Sequence, residues 1–431
     1  MAMSQDATPS ATAAPKGALG IIFLIVTMDL LGFGIIIPLL PIFAEQYKAS
    51  PLEVGLLLSV YSICQFLAAP ILGALSDRHG RRAVLVFSQF GSAVGYLLLG
   101  LVMQFHWQNA ATALGLFYLS RLIDGISGGN VSTAQAYVSD VTTAQNRAKG
   151  MGMIGAAFGI GFAFGPFVGG MLASVHASLP GYFAAAASGT AMLLTYFRLP
   201  ESRQHKPAES AVWLHPSQFR PILKNGHLVQ LLLIGFVSMF GFVMLESMGA
   251  LFMSRPDTFA WTARGVGLYF GFLGFIIAFV QGGMIGKLTR RFGDWPLAII
   301  GPIFVAIGMA NMVWMSFSPI LWLMLLGGAI NSAGRSLQTP TLNSIISKTA
   351  DRREQGVVFG MNQGLSSLAR AVGPIVGGLI YAHYASGPFA LAAGLLVMAC
   401  FWTAAIRRNG KQFAPQGGPM AASAEPIVSP E

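Results

Sequence analysis

The chain alternates between long apolar runs and short polar stretches along almost its whole length. Each run has the roughly 17 to 25 residues that a helix needs to cross a bilayer. The pattern predicts twelve spans, numbered 1 to 12, at 18–41, 54–75, 83–105, 112–136, 150–173, 181–198, 228–252, 264–287, 296–316, 320–343, 357–381 and 387–406. The fold class that we expect is therefore an all-α membrane protein.

The composition favours the same class. Hydrophobic residues make up 54% of the 431 residues and charged residues only 10%, whereas a soluble domain carries about 25% charge. So few charges would not coat the surface of a water-soluble fold. Residues 1–16, which precede the first apolar run, are rich in Ser, Thr, Ala and Pro and predict a disordered tail.

Basic residues collect in alternate connecting loops. The other set of loops holds only Lys48, Arg255 and Arg264. Because short basic loops stay in the cytoplasm, both termini and the long middle loop are predicted to be cytoplasmic. The net charge of +10 is then a signal of topology, and it requires no nucleic acid as a partner.

An internal repeat divides the chain into two halves. The segments 161–170 and 367–378 match through Gly165/Gly373, Pro166/Pro374, Gly169/Gly377 and Gly170/Gly378. Parallel six-span halves related by an axis along the membrane normal are a known transporter architecture. The predicted divisions are a tail 1–16, a first half 17–198, a cytoplasmic linker 199–227, a second half 228–407 and a tail 408–431.

Six charged residues fall inside the predicted spans, away from their first and last residues. They are Asp29, Arg121, Asp124, Glu246, Arg335 and Arg370. Each costs about 2.5 to 3.5 kcal/mol at the centre of a span, so such residues usually face a polar interior and have a function. The first five are our candidates for proton coupling and substrate contact. Arg121 and Asp124 share one helix face, and mutual neutralisation remains an alternative for that pair.

Motifs for catalysis are incomplete. Residues 125–129 fit a nucleophile elbow and 150–155 fit a dinucleotide fingerprint, but neither follows a strand. The chain has no phosphate-binding Walker loop, and its histidines lack metal-ligand spacing. The sequence therefore predicts a protein that is not an enzyme and that has no cofactor or metal. A channel is a further alternative, although channels more often assemble as oligomers around a filter segment.

Two motifs resemble those of a known family, the major facilitator superfamily. Residues 73–82, GALSDRHGRR, resemble its signature loop between spans 2 and 3. Span 5 resembles the signature of its proton-driven exporters through Gly152, Gly161, Gly165, Pro166, Gly169 and Gly170. Asp29 and Arg121 stand where the family has an acidic residue in span 1 and an arginine in span 4. The resemblance covers 17–407 and implies twelve helices in two pseudo-symmetric halves.

Within the superfamily, residues 138–161 resemble the drug:proton antiporters of the tetracycline-efflux type. The resemblance implies a monomer in the inner membrane that exports small amphipathic compounds in exchange for protons. The acidic residues that this group has in spans 3 and 9 are missing, since Gly95 stands in span 3 and no acid occurs in 296–316. Glu45 also replaces an arginine. These departures weigh against magnesium-chelated tetracycline, and a proton-coupled importer of a metabolite remains the alternative.

The signature loop is predicted to act as a cytoplasmic gate. Its residues are Gly73, Asp77, Arg78, Gly80, Arg81 and Arg82, together with Asp140 at the end of span 4. We expect Asp140 to pair with Arg81 or Arg82, and Asp77 to cap the positive start of span 11. The alternative is that these basic residues only anchor the topology. The many Phe and Met residues near the intramembrane charges predict a hydrophobic substrate that is neutral or weakly cationic.

Overall fold

The computed structural model describes residues 17–105, 107–128, 130–142, 146–202, 222–350 and 355–410. All regular structure in these ranges is helical. The predicted tail 1–16 lies outside the described residues, as do most of the predicted linker 199–227 and most of the tail 408–431.

All twelve predicted spans are confirmed as helices. In the first half they are Ala18–Ile36 continued by Leu40–Gln46, Pro51–His79, Arg81–Gln104, Ala110–Ser127 continued by Asn130–Val141, Arg147–Val175 and Leu179–Arg198. In the second half they are Gly226–Ser254, Ala263–Phe279 continued through a π-helical turn Val280–Met284 to Ile285–Phe292, Asp294–Trp314, Leu321–Thr349, Gln355–His383 and Gly387–Gly410.

Nine of these helices, among the residues that the structure describes, are long and apolar enough to cross a membrane. Spans 4, 6 and 10 are not in this set. Spans 4 and 10 carry polar side chains that the fold buries, including Arg121, Asp124, Asn331 and Gln338. Because these residues face the protein interior, the low hydropathy of spans 4 and 10 is compatible with a membrane location.

The start of span 2 shows how local sequence fixes a helix end. Ser50 precedes Pro51, whose fixed φ suits the first helical position. The backbone N–H of Glu53 donates to the Ser50 hydroxyl at 3.3 Å, and the Ser50 N–H donates to the Glu53 carboxylate at 2.7 Å. This reciprocal capping box satisfies two donors that the first turn of a helix leaves free.

The helix contacts repeat between the two halves. Span 1 packs on spans 5 and 6, span 3 on spans 4 and 6, and span 2 on span 4. The equivalent contacts in the second half join span 7 to spans 11 and 12, span 9 to spans 10 and 12, and span 8 to span 10. Spans 5 and 8 form one large contact between the halves, and spans 2 and 11 form its symmetric counterpart.

Glycines of the repeat bring helices together within each half. A Cβ atom added at Gly165 would lie 2.6 Å from the carbonyl carbon of Gly34 on span 1. At the equivalent position, a Cβ atom on Gly373 would lie 2.7 Å from a methyl group of Val243 on span 7. Glycine thus permits the close backbone approach that membrane helices use in place of hydrophobic attraction.

One position of the repeat instead joins the two halves. A Cβ atom added at Gly170 on span 5 would lie 2.7 Å from the Cα atom of Gly267 on span 8. The equivalent Gly378 on span 11 faces span 2, where its added Cβ would lie 3.0 Å from the Cα atom of Leu52. The span-5 signature therefore makes two kinds of contact, one within its half and one between halves.

In the described part of the chain, spans 5 and 8 touch toward one end, on the side away from the basic loops. Near the basic loops, Gly152, Gly155 and Gly159 of span 5 and Gly282 and Gly283 of span 8 have no atom within 4 Å of an added Cβ position. The same helices that pack tightly at Gly170 and Gly267 are thus separated at their other ends. The molecule is closed on the side away from the basic loops and open on the side of those loops.

We predict that alanine at two glycines of span 5 has different effects. Gly165→Ala places a methyl group against span 1 of the same half, and such overpacking lowers the free energy of unfolding by about 1–3 kcal/mol. Gly170→Ala places its methyl group against the other half. It should separate the halves at the closed end without weakening either half.

Thermal unfolding and spin-label distances between spans 5 and 8 would measure the two effects. Gly152→Ala is the control, because the same change on the same helix points into open space. Identical distance distributions for Gly170→Ala and Gly152→Ala would contradict the assignment.

Candidate functional site

A cavity of about 390 Å³ lies between the halves on the side of the basic loops. Spans 1, 2 and 4 of the first half and span 11 of the second half contribute most of its polar lining. These polar residues are Asp29, Tyr61, Gln65, Ser92, Tyr96, Asp124, Ser132, Gln135, Gln363, Ser367 and Arg370. Two smaller cavities of about 50 and 40 Å³ both include Glu246, and the first also includes Arg335.

Arg121 and Asp124 form a buried ion pair on span 4. Arg121 is 2% exposed and Asp124 1%, and Nη1 of the arginine lies 3.1 Å from Oδ2 of the aspartate. Arg121 Nη2 also donates to the Ser120 hydroxyl at 3.2 Å. Mutual neutralisation, the alternative expected from the sequence, is therefore seen as a direct contact, and the Ser120 hydrogen bond offsets part of the cost of burying the two charges.

A break in span 4 lies beside this pair. The first helix of the span ends at Ser127, and the carbonyls at the break find side-chain donors. Gln65 Nε2 donates to the Gly128 carbonyl at 2.8 Å, and the Ser88 hydroxyl donates to the Ser127 carbonyl. Inside a membrane such partners are required, because freed backbone groups have no lipid acceptor or donor.

Asp29 occupies the same wall of the cavity. Its carboxylate and that of Asp124 both interact electrostatically with Tyr61 and Tyr96. Asp29 is partly exposed, whereas Asp124 is enclosed by its bonding partners. The fold thus brings together the two carboxylates of the first half that we predicted to take part in proton coupling. Asp29 is the more exposed of the two.

The second half presents a different arrangement of charge. The guanidinium of Arg335 stacks on Phe242 at 3.4 Å from the ring centre, and its Nη2 lies 3.5 Å from the sulfur of Met239. Glu246 interacts electrostatically with Arg370 and Arg335, but no ion pair within 4 Å joins it to any described residue. These charges therefore face one another across the smaller cavities without direct pairing.

The signature loop contains the predicted ion pair. Arg81 Nε lies 3.1 Å from Asp140 Oδ2, and Arg81 Nη1 lies 2.8 Å from Asp77 Oδ1. Arg82 donates to the Tyr196 carbonyl, while Arg78 is exposed.

Two glycines of the loop differ in their surroundings. Gly73 faces open space, and Gly80 adopts a φ of 96°, which favours glycine. The predicted capping of span 11 by Asp77 involves residues 351–354, which lie outside the described part of the chain.

Glu201 is a residue of this loop region that sequence reasoning missed. Its carboxylate accepts the backbone N–H groups of Arg81 at 2.8 Å and Arg82 at 3.1 Å. These are free donors at the start of span 3, where a negative charge is stabilising. The next residue, Ser202, donates to Asp140 at 3.0 Å. The signal in the sequence that could have identified it is its position, directly after the Leu-Pro that ends span 6.

Comparison with known proteins identifies the family. The family model of the Major Facilitator Superfamily matches residues 22–363 and 317–428. The chain belongs to the Major Facilitator Superfamily. Family and fold together indicate a transporter. The resemblance predicted from the signature loop and span 5 is thereby confirmed.

Relatives within the superfamily include named resistance proteins. The tetracycline resistance protein, class C, of Escherichia coli is 31% identical over 381 residues, which are 86% of this chain and 91% of the relative. Multidrug resistance protein 1 of Bacillus subtilis (strain 168) is 28% identical over 369 residues, which are 85% of this chain and 90% of the relative.

A solved structure within the superfamily shares the fold over nearly the whole chain. It is the crystal structure of the human organic anion transporter MFSD10 (TETRAN), with a TM-score of 0.68 and 26% identity. The comparison covers 92% of this chain and 100% of that one. The twelve-helix arrangement in two halves is therefore that of a major facilitator transporter.

We predict that Glu201→Ala loosens the start of span 3 in this superfamily member. Loss of an acceptor at a helix N-terminus costs about 1 kcal/mol, and amide exchange at Arg81 and Arg82 should become faster. Ser202→Ala is the control, because it removes only the bond to Asp140. Unchanged exchange at both amides in Glu201→Ala would show that the carboxylate does not hold this helix end.

Proposed function

We propose that this protein exports small amphipathic compounds across the inner membrane by antiport with protons. The observation that carries the proposal is the central cavity, which combines intramembrane carboxylates with apolar and aromatic walls. The names of the resistance relatives support a drug-like substrate. An importer would share this fold, and both those names and the exporter signature of span 5 favour export.

The orientation follows from the positive charge of the loops. With both termini in the cytoplasm, the open side of the cavity faces the cytoplasm. Large apolar residues on the outer surface of the helices would contact lipid, among them Phe197 at 72%, Phe401 at 71% and Ile71 at 65% exposure. Because the two halves of one chain enclose the cavity, a monomer is sufficient.

Asp29 is the proposed carrier of the transported proton. Asp29 is partly exposed where it lines the open cavity and can exchange protons with water there, whereas Asp124 is buried against Arg121 at 3.1 Å. A charge crossing the membrane potential gains about 2.3 kcal/mol per 100 mV. Proton entry at Asp29 would therefore supply the free energy for export.

Alternating access would come from rocking of the two halves. The contacts at Gly170 and Gly378 would open, and the separated ends of spans 5 and 8 would close around Gly155 and Gly283. The bonds of Arg81 to Asp77 and Asp140 would keep the signature loop in position during this motion.

We predict that Asp29→Asn abolishes substrate movement driven by a pH gradient. The amide has nearly the same shape as the carboxylate but carries no exchangeable charge. Exchange of labelled for unlabelled substrate, which needs no net proton movement, should continue. Both activities would be measured in proteoliposomes.

The control for this test is Asp257→Asn. Asp257 lies in an outer loop, where hydrogen bonds from the Arg255 guanidinium at 2.6 and 2.8 Å hold its pKa below the usual range. Pairs this exposed contribute little to stability. Normal gradient-driven export by Asp29→Asn across several pH values would refute the assignment of the proton to Asp29.

We also predict that the double variant Arg81→Lys, Arg82→Lys reduces transport. It keeps both positive charges, and therefore the topology, but loses the planar fork that reaches Asp77 and Asp140 together. Transport should fall while membrane insertion stays normal. If transport equals that of the unchanged protein, topological anchoring is the better explanation of these arginines.

A further inference from the structure

Three charged side chains of the second half lie beside the central cavity. Together they carry a net positive charge. They are Glu246 on span 7, Arg335 on span 10 and Arg370 on span 11. One carboxylate faces two guanidinium groups, and both arginines act on it electrostatically. By contrast, the Arg121–Asp124 pair of the first half is balanced within itself.

Arg335 is held in place by apolar partners. Its guanidinium plane covers the Phe242 ring, and Nη2 contacts the Met239 sulfur. No acidic group among the described residues lies within ion-pair distance of it. Stacking fixes the plane of the guanidinium, so its remaining N–H donors keep a defined direction along the cavity that it lines.

Arg370 has a donor that no described residue satisfies. Its Nε is buried without a hydrogen-bond partner in the described part of the chain, and its guanidinium lies 6.0 Å from the ring centre of Phe162 on the opposite half. Arg370 lines the large cavity and also the small cavity that contains Glu246. A charged donor left without an acceptor is costly, which favours an acceptor supplied by a ligand.

We infer that Arg335 and Arg370 form a subsite for an acidic group of the transported compound. A carboxylate, enolate or phenolate would supply the negative charge that Glu246 alone leaves unbalanced, and a guanidinium fork matches such a group well. The ring system of the compound would lie against Phe270 and Leu273, which line the adjoining cavity. The substrate class is therefore an amphipathic aromatic acid.

This inference rests on the proposed export function and refines its substrate. It differs from the neutral or weakly cationic compound expected from the sequence. That expectation came from the Phe and Met residues near three positive and three negative intramembrane residues. In the structure, Arg121 pairs with Asp124 within the first half, and two arginines face the single carboxylate of the second half.

The test compares each compound with its own methyl ester. Several aromatic dyes would be offered to the purified protein as the free acid and as the ester, which differ only in the ionised group. We expect the acid to bind at least roughly tenfold more tightly, the range of one charge-assisted hydrogen bond. Equal binding, or tighter binding of the ester, across all dyes would overturn the subsite.

Matched variants locate the effect. Arg370→Gln and Arg335→Gln should each reduce the preference for the acid while leaving affinity for the ester within about twofold. Arg370→Lys should retain part of the preference, because the charge remains and the fork is lost. Arg255→Gln removes an arginine from the outer loop and should change neither value. An unchanged acid preference in Arg370→Gln and Arg335→Gln, with intact thermal unfolding, would overturn the proposal.

Failure of the inference and failure of the export function give different results. Proton-driven transport of the esters with no acid preference would reject the subsite and leave export standing. Specific binding of the acids without movement under a pH gradient would support the subsite and reject proton-coupled export.

Discussion

The structure depends on how closely its helices approach one another at glycine. In a bilayer, helix association lacks the hydrophobic driving force available in water and relies on close van der Waals contact. Gly165 provides that contact within the first half, and Gly170, on the same helix, provides it between the halves. Because the two positions face different neighbours, the halves can separate at Gly170 while each keeps its internal packing. This separation of roles is the physical requirement for rocking of rigid halves.

The intramembrane charges are distributed unequally between the halves. In the first half, Arg121 and Asp124 are buried as an ion pair that Ser120 joins by a hydrogen bond, and Asp29 is more exposed to the cavity. In the second half, the charges face one another across cavities with apolar walls. The first arrangement suits the binding and release of a proton, and the second suits a ligand. We therefore interpret the two halves as specialised for proton coupling and for substrate.

The loop between spans 2 and 3 connects the cytoplasmic surface to the span that carries the buried ion pair. Arg81 connects Asp77 on span 2 with Asp140 on the second helix of span 4, and the first helix of the same span carries Arg121 and Asp124. Glu201 attaches the beginning of the linker to the same loop. A shift of span 4 would thus reach both the signature loop and the linker through charged hydrogen bonds, which are stronger than neutral ones.

The sequence by itself determined the twelve spans, the two related halves and the shared face of Arg121 and Asp124. Each follows from local composition or from a repeat, since span length and helix periodicity depend only on neighbouring residues. The tertiary structure alone decided that Gly170 contacts the other half and that no described residue accepts a hydrogen bond from Arg370 Nε. It also brought Glu201 to Arg81, 120 residues away. Such contacts arise from the packing of distant segments, and no periodic pattern along the chain specifies them.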